Sequence, residues 1–377
     1  MSLNTLATYH EWLRFMAMRK ASDLFVTAGF PPAIKLNGKV TPISQQTLTA
    51  NDTQMLAQAV MSPRQQQEFE QTHECNFAIH VETVGRFRVN VFMQQGRVGI
   101  VARHINTQIP KLEDLHLPAN LKDITMMPRG LIIVTGATGS GKSTSLAAMV
   151  GYRNQNAQEH IITVEDPIEY VHEHGKSIIT QREVGMDTDS WESALKNTLR
   201  QAPNVIMIGE IRDRETMQYA MAYAETGHLC FSTVHANNAN QTLDRILSFF
   251  AKERREQLLL DLSLNLRAVI SQRLIPRSDG KGRVPAVEIM LNSPLVADLI
   301  LQGRLDEIKD VMTRSRDLGM QTFDQALFDL FIAGAINAED ALRNADSFND
   351  LRLRIKLHVK NDRGDAPLSG LEHLDLI

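Results

Sequence analysis

The stretch LIIVTGATGSGKSTSLAAM, residues 131–149, decides the fold. An uninterrupted apolar and β-branched run, Leu131 to Thr135, leads into the glycine-rich turn GATGSGKS, and a helix-forming stretch follows at once. A run without polar alternation is what a strand buried on both faces requires. Gly136, Gly139 and Gly141 let the backbone aim several N–H groups inward, and the helix behind them adds its positive N-terminal end. An anion belongs in that cradle. The spacing GxxxxGKS makes it a triphosphate site. Lys142 reaches the β- and γ-phosphates, Ser143 offers its hydroxyl to Mg²⁺, Thr144 flanks the α-phosphate, and Ala137, Thr138 and Ser140 complete the ATP-binding loop.

Three more runs of the same kind, HIITVED, NVIMIGE and LCFSTVH, alternate with helical stretches, which predicts an α/β core built on a parallel sheet. Ligands gather at the carboxyl edge of such sheets. Glu165, Asp166 and Glu169 follow the first of these runs, and three carboxylates beside phosphate call for a cation. With Ser143 they form the candidate Mg²⁺ set, partly through water. The second run ends in Glu210, preceded by Gly209 where the usual pattern places an aspartate. Glu210 is therefore the candidate general base for the attacking water, with Glu165 supporting it.

Two histidines bracket the third run in ETGHLCFSTVHANNANQTLDRI, residues 225–246. At about 3.3 Å per residue they stand roughly 23 Å apart on opposite faces, so they share no zinc ion. His235 falls at the ligand edge, where it can sense the γ-phosphate or the water. His228 begins the strand, and a structural role stays open for it.

At 377 residues, 43% hydrophobic and 22% charged, the chain is long enough for two globular domains. No apolar run approaches the roughly 18 to 20 residues of a bilayer span, and Glu11 and Arg14 interrupt the N-terminus where a signal peptide is apolar, so a cytoplasmic protein is expected. Cys75 and Cys230 lie far apart and make no metal spacing. The formal charge is −4 and the longest basic run is KERR, 252–255, which argues against a nucleic-acid partner.

Residues 1–107 mix short helices (near 6–18, 51–61 and 63–71) with strand candidates such as CNFAIHV, RFRVNVF and RVGIVARHI, an α+β pattern with a turn at Asn37-Gly38. Residues 108–120 look like a linker, 121–345 hold the ATPase core, and helices are expected to dominate after about 252. The stretch 346–377 is expected as a partly disordered extension.

Together the motifs GATGSGKST, ITVEDPIEY, VIMIGEIRD and TGHLCFSTVHANNA resemble those of the secretion and type IV pilus ATPases. ASDLFVTAGFPP, GRFRVNVF, TQREVG and LGMQTFDQAL are similar to the pilus retraction branch (PilT/PilU), and HECNFAI and LKNTLRQAPNVIMIGE to its PilU side. The resemblance implies a smaller PAS-like α+β N-terminal domain, a RecA-like P-loop ATPase core, and a homohexamer with nucleotide between the domains. It also implies arginines supplied from the N-terminal domain, at Arg88, Arg97 and Arg103, whose guanidinium groups suit phosphoryl charge. The expected partners are a PilT-like paralogue and a PilC-like inner-membrane platform protein at the pilus base, with no zinc. Two departures, Ala202-Pro203-Asn204 and DLILQGR (298–304), point to an accessory rather than a self-sufficient retraction motor. A weakly catalytic ring subunit and a nucleic-acid translocase are the alternatives.

Overall fold

The computed structural model describes residues 5–36, 38–105 and 108–363, the side chains of 360–363 excepted. Contacts divide the chain into two units. One takes the residues up to Ile109 together with Asp166–His172 and Arg182–Ser190; the other takes Pro110–Glu165, Glu173–Gln181 and the chain from Trp191 on.

In the first unit, helix α1 (Thr5–Met18) precedes strands β1 (Asp23–Val26), β2 (Ala33–Leu36) and β3 (Lys39–Pro42). Helices α2 (Ala50–Val60) and α3 (Pro63–Thr72) lead to β4 (Glu74–Val81), β5 (Gly85–Gln94) and β6 (Arg97–Ile105). The strands form one sheet in the order β3-β2-β1-β6-β5-β4, with every neighbouring pair antiparallel. Period-two patterning fixes its buried face: Phe87, Val89 and Val91 of β5 are buried while Arg88 between them is exposed. Tyr9, Leu13 and Met16 of α1 and Leu56 and Ala57 of α2 complete that core. The helices begin where side chains can cap them, Thr49 with Asp52 and Ser62 with Gln65, the latter followed by a proline at the first helical position. Asn37, half of the expected turn, lies outside the described residues, but β2 and β3 pair on either side of it.

The second unit runs α4 (Leu121–Thr125), β7 (Gly130–Thr135), α5 (Lys142–Asn156), β8 (His160–Glu165), β9 (Ile178–Glu183, its last two residues grouping with the first unit), α6 (Trp191–Thr198), β10 (Val205–Ile208), α7 (Arg214–Glu225) and β11 (Leu229–Val234). It continues with α8 (Ala239–Ser248), α9 (Arg255–Asn265), β12 (Leu266–Pro276), β13 (Arg283–Leu291), α10 (Pro294–Leu301), α11 (Ile308–Arg314), α12 (Phe323–Ile332), α13 (Ala338–Arg343) and α14 (Phe348–Arg363). The sheet order is β13-β12-β7-β11-β10-β8-β9. From β12 to β8 every neighbour is parallel, and every residue of β7, β10 and β11 is buried, as strands covered on both faces require.

Helices dominate after residue 252, as expected, but two strands that the sequence did not single out lie among them. β12 and β13 form an antiparallel hairpin there, and it widens the parallel sheet beside β7. Helices α12 to α14 pack on the far part of this hairpin, where Phe323, Leu327, Leu342, Leu351 and Ile355 meet Ile275, Val284 and Ala286. The stretch beyond Ala345 thus contains a helix anchored by Leu351 and Ile355, and residues 364–377 lie outside the described residues. Among the described residues no helix is long and apolar enough to cross a membrane.

Candidate functional site

The glycine turn has the backbone its composition predicts. Gly136, Gly139 and Gly141 have φ of +148°, +79° and +89°. A Cβ on Gly136 would stand 2.5 Å from both Gln272 O and Ser140 Oγ, and one on Gly141 2.7 Å from Gln272 Nε2. The loop is thus wedged against β12, whose buried Gln272 donates to Ser140 O (2.9 Å) and accepts from Ser145 Oγ (2.7 Å) on α5. Ala137, Thr138 and Gly139 are exposed at the rim, while Ser143 and Thr144 are half-buried on the first turn of α5. Lys142 is buried, and its Nζ donates to Gly136 O (2.9 Å) and Ala137 O (3.0 Å), which holds a positive charge at the loop.

Two observations fit this loop to phosphate. Ser140 Oγ is buried without a hydrogen-bond partner among the described residues. Helix α5 has Gly141 at its N-cap and so no side-chain cap, whereas α2, α3, α7, α8, α10, α12 and α13 each have one. Its first-turn N–H groups are left for an anion.

The other motifs reach the same edge because four strands lie side by side, in the order β7-β11-β10-β8 and all parallel. Their carboxyl ends present in turn the phosphate loop, His235, Glu210 and Glu165. The Glu210 carboxylate is held between Arg212 and His235, whose Nε2 lies 3.2 Å from Glu210 Oε2. Thr233 Oγ1 donates to Gly209 O (2.7 Å) and the Ile211 N–H to Thr233 O (2.8 Å), so the ends of β10 and β11 are stitched around that pair. Glu165 is buried and accepts from Thr163 Oγ1 (2.7 Å) and Gln181 Nε2 (3.2 Å). Gly209 has a steric reason to lack a side chain, since its Cβ would stand 3.3 Å from Glu165 Cα and 3.4 Å from Trp191 Cη2.

His228 sits at the opposite, N-terminal edge. Its Nδ1 lies 3.0 Å from Thr226 Oγ1 and 3.3 Å from Tyr223 O, which ties the end of α7 to the start of β11. Asp166 and Glu169 group with the first unit, apart from Glu165 in the contact division. Among the described residues no three His, Cys, Asp or Glu side chains are placed to hold a metal ion by themselves. A nucleotide-bound Mg²⁺ needs no such cage, because phosphate oxygens, water and one or two protein oxygens such as Ser143 Oγ suffice.

Arg88, Arg97 and Arg103 are all exposed on β5 and β6 of the first unit. Arg103 stands opposite Arg88 in the pairing, and its Nε donates to the buried Asp23 (2.8 Å). Arg86, which the sequence did not single out, pairs with Glu183 at 2.7 Å. Burial pushes the Glu183 carboxyl up from its ordinary value, against the Ile168 N–H and the Arg86 guanidinium, which favour its charged form.

Thr135, Arg212, Gln272 and Glu288 also escaped notice in the sequence. Glu288 on β13 is buried and accepts from the Ala239 N–H (2.7 Å) at the start of α8 and from Ser271 Oγ (3.2 Å). Burial pushes its carboxyl up to about 7, aided by Asp346 and opposed by the Ala239 N–H and Lys309. In the unfolded chain it titrates near 4.5, so the folded protein holds the extra proton between about pH 4.5 and 7. Stability from this group is therefore complete below pH 4.5 and lost as the pH rises through 7. Relative to Glu288→Gln, the unsubstituted chain should lose up to about 3 kcal/mol between pH 4.5 and 8 in urea unfolding, and a pH-independent difference would show that the group does not titrate there.

A parallel sheet with a glycine cradle on one strand and a carboxylate–imidazole pair on its neighbours defines a P-loop ATPase. The family described as "Type II/IV secretion system protein" matches residues 114–294. The type IV pilus ATPase PilU of Pseudomonas aeruginosa is 56% identical over 354 residues, 94% of this chain and 93% of that protein. The type IV pilus retraction ATPase PilT of the same organism is 42% identical, covering 89% of this chain and 97% of its own. A crystal structure of the pilus retraction motor PilT with bound ADP aligns with a TM-score of 0.85 at 42% identity, covering 91% of this chain and 98% of that one. The chain belongs to the PilT/PilU family of secretion ATPases.

Proposed function

We propose that this ATPase works as a homohexamer at the inner-membrane base of a type IV pilus, where it assists retraction beside a PilT-like motor by acting on a PilC-like platform protein. One observation carries the catalytic part: the phosphate loop, His235, Glu210 and Glu165 stand at the carboxyl ends of four adjacent parallel strands. The pilus role draws on the relatives named PilU and PilT.

In this reading Lys142 and the loop N–H groups hold the β- and γ-phosphates of ATP, and Glu210 takes the proton of the attacking water. His235, whose Nε2 lies 3.2 Å from Glu210 Oε2, registers whether the γ-phosphate is present. Mg²⁺, held through Ser143 and by way of water through Glu165, Asp166 and Glu169, supplies charge neutralisation. Arg88, Arg97 and Arg103 bring guanidinium charge from an N-terminal domain.

Ala202 and Asn204 depart from the retraction motors' pattern at the amino end of β10, the edge opposite Glu210. There Asn204 Oδ1 accepts from the His160 N–H (2.9 Å), and His160 Nδ1 lies 3.0 Å from Gln201 O. The departure leaves the nucleotide edge untouched, which favours a working hydrolase over a silent ring subunit. The DLILQGR departure falls on α10 and the turn after it, where Leu301 is exposed and Arg304 pairs with Glu307.

The test is native mass and ATPase rate of the purified chain, with and without the PilT-like paralogue, joined to retraction assays in cells lacking either protein. A hexamer that hydrolyses ATP and strengthens retraction only when the paralogue is present is the expected result. A monomer without turnover, or retraction indifferent to this chain, overturns it.

A further inference from the structure

Thr135 ends β7 one residue before the phosphate loop and is fully buried. Its hydroxyl donates to Val234 O at 2.7 Å, has Ala236 O within reach at 3.0 Å, and accepts from the Ala236 N–H at 3.2 Å. Val234 O and the Ala236 N–H belong to the peptide groups on either side of His235, and Ala236 O to the next one along. A hydroxyl carries one proton, so it serves one of the two carbonyls at a time while keeping the Ala236 N–H. Backbone pairing of β7 with β11 runs out at Thr135 and Val234, so beyond that point this side chain continues the ladder. His235 in turn lies 3.2 Å from Glu210. A continuous path thus leads from Gly136 through Thr135 and the His235 backbone to Glu210.

We propose that Thr135 is a positioning residue: its hydroxyl sets the His235 imidazole against Glu210 and ties that pair to the strand carrying the phosphate loop. The inference rests on the reading of Glu210 and His235 as a hydrolytic pair. Packing alone does not call for the hydroxyl, because valine has nearly the same shape. What valine lacks is a partner for the buried Val234 carbonyl and for the half-buried Ala236 N–H, groups that are costly to leave unpaired.

Thr135→Val, Thr135→Ser and His235→Ala, singly and combined, are compared in kcat and in affinity for a fluorescent ADP analogue. Thr135→Val should lower kcat about tenfold to a hundredfold with ADP affinity changed less than about threefold, and Thr135→Ser should restore most of the rate. In the His235→Ala background Thr135→Val should cost little more, since both changes break one path. Equal losses in both backgrounds, an unchanged kcat for Thr135→Val, or a folded serine variant as slow as the valine one would each overturn the proposal. If His235→Ala alone turns over normally, the pair itself is misassigned; a slow Thr135→Val in that case shows the hydroxyl acting elsewhere, which also overturns the path through His235.

Discussion

Lys142→Ala should lose ATP turnover and bind ADP about a hundredfold more weakly or worse. Two charge-assisted hydrogen bonds to phosphate, each worth roughly 1.5–3 kcal/mol, are removed at once. No other lysine belongs to the loop, and the neighbouring Ser143 and Thr144 are neutral. The substitution also strips a donor from Gly136 O and Ala137 O, but the rim at Ala137 is exposed and water can replace it, so folding should survive. Fluorescent-nucleotide titration with a coupled phosphate assay measures both effects. A variant that still turns over would remove the cradle from the phosphate site.

Glu210→Gln should show the complementary pattern, with nucleotide affinity nearly unchanged and kcat lowered by about a hundredfold to ten-thousandfold, the range spanned by loss of a positioned base. Glutamine keeps the shape and an acceptor for the neighbouring groups, so the contact with His235 can persist while the proton acceptor is gone. Arg212 loses its carboxylate partner, but it is half exposed and water compensates. Equilibrium ATP binding separates the two variants: Glu210→Gln should trap ATP where Lys142→Ala does not. Normal hydrolysis by Glu210→Gln would reassign the base.

Legibility followed function in an instructive way. β7, β8, β10 and β11 stand out in the sequence because strands covered on both faces are apolar without interruption. β12 and β13 did not, although they belong to the same sheet. The run LRAVISQRLIP carries Ser271 and Gln272 where an apolar pair would have marked a strand, and both are buried in the fold. Ser271 donates to Glu288, and Gln272 braces the phosphate loop. The residues that support the site disguise the strand that bears them. Strand β9, IITQRE, was missed for a related reason, since Gln181 serves Glu165.

The strand, glycine turn and helix of residues 131–149 were readable from that stretch alone, because they are made by neighbours in the chain and glycine's freedom at positive φ is a local property. Which motif faces which was not. The spatial order β7-β11-β10-β8 departs from chain order, and it alone brings His235 to Glu210 and the Thr135 hydroxyl to the peptides beside His235. Pairing between strands about a hundred residues apart depends on hydrogen-bond ladders and packing that come into being only when the sheet closes.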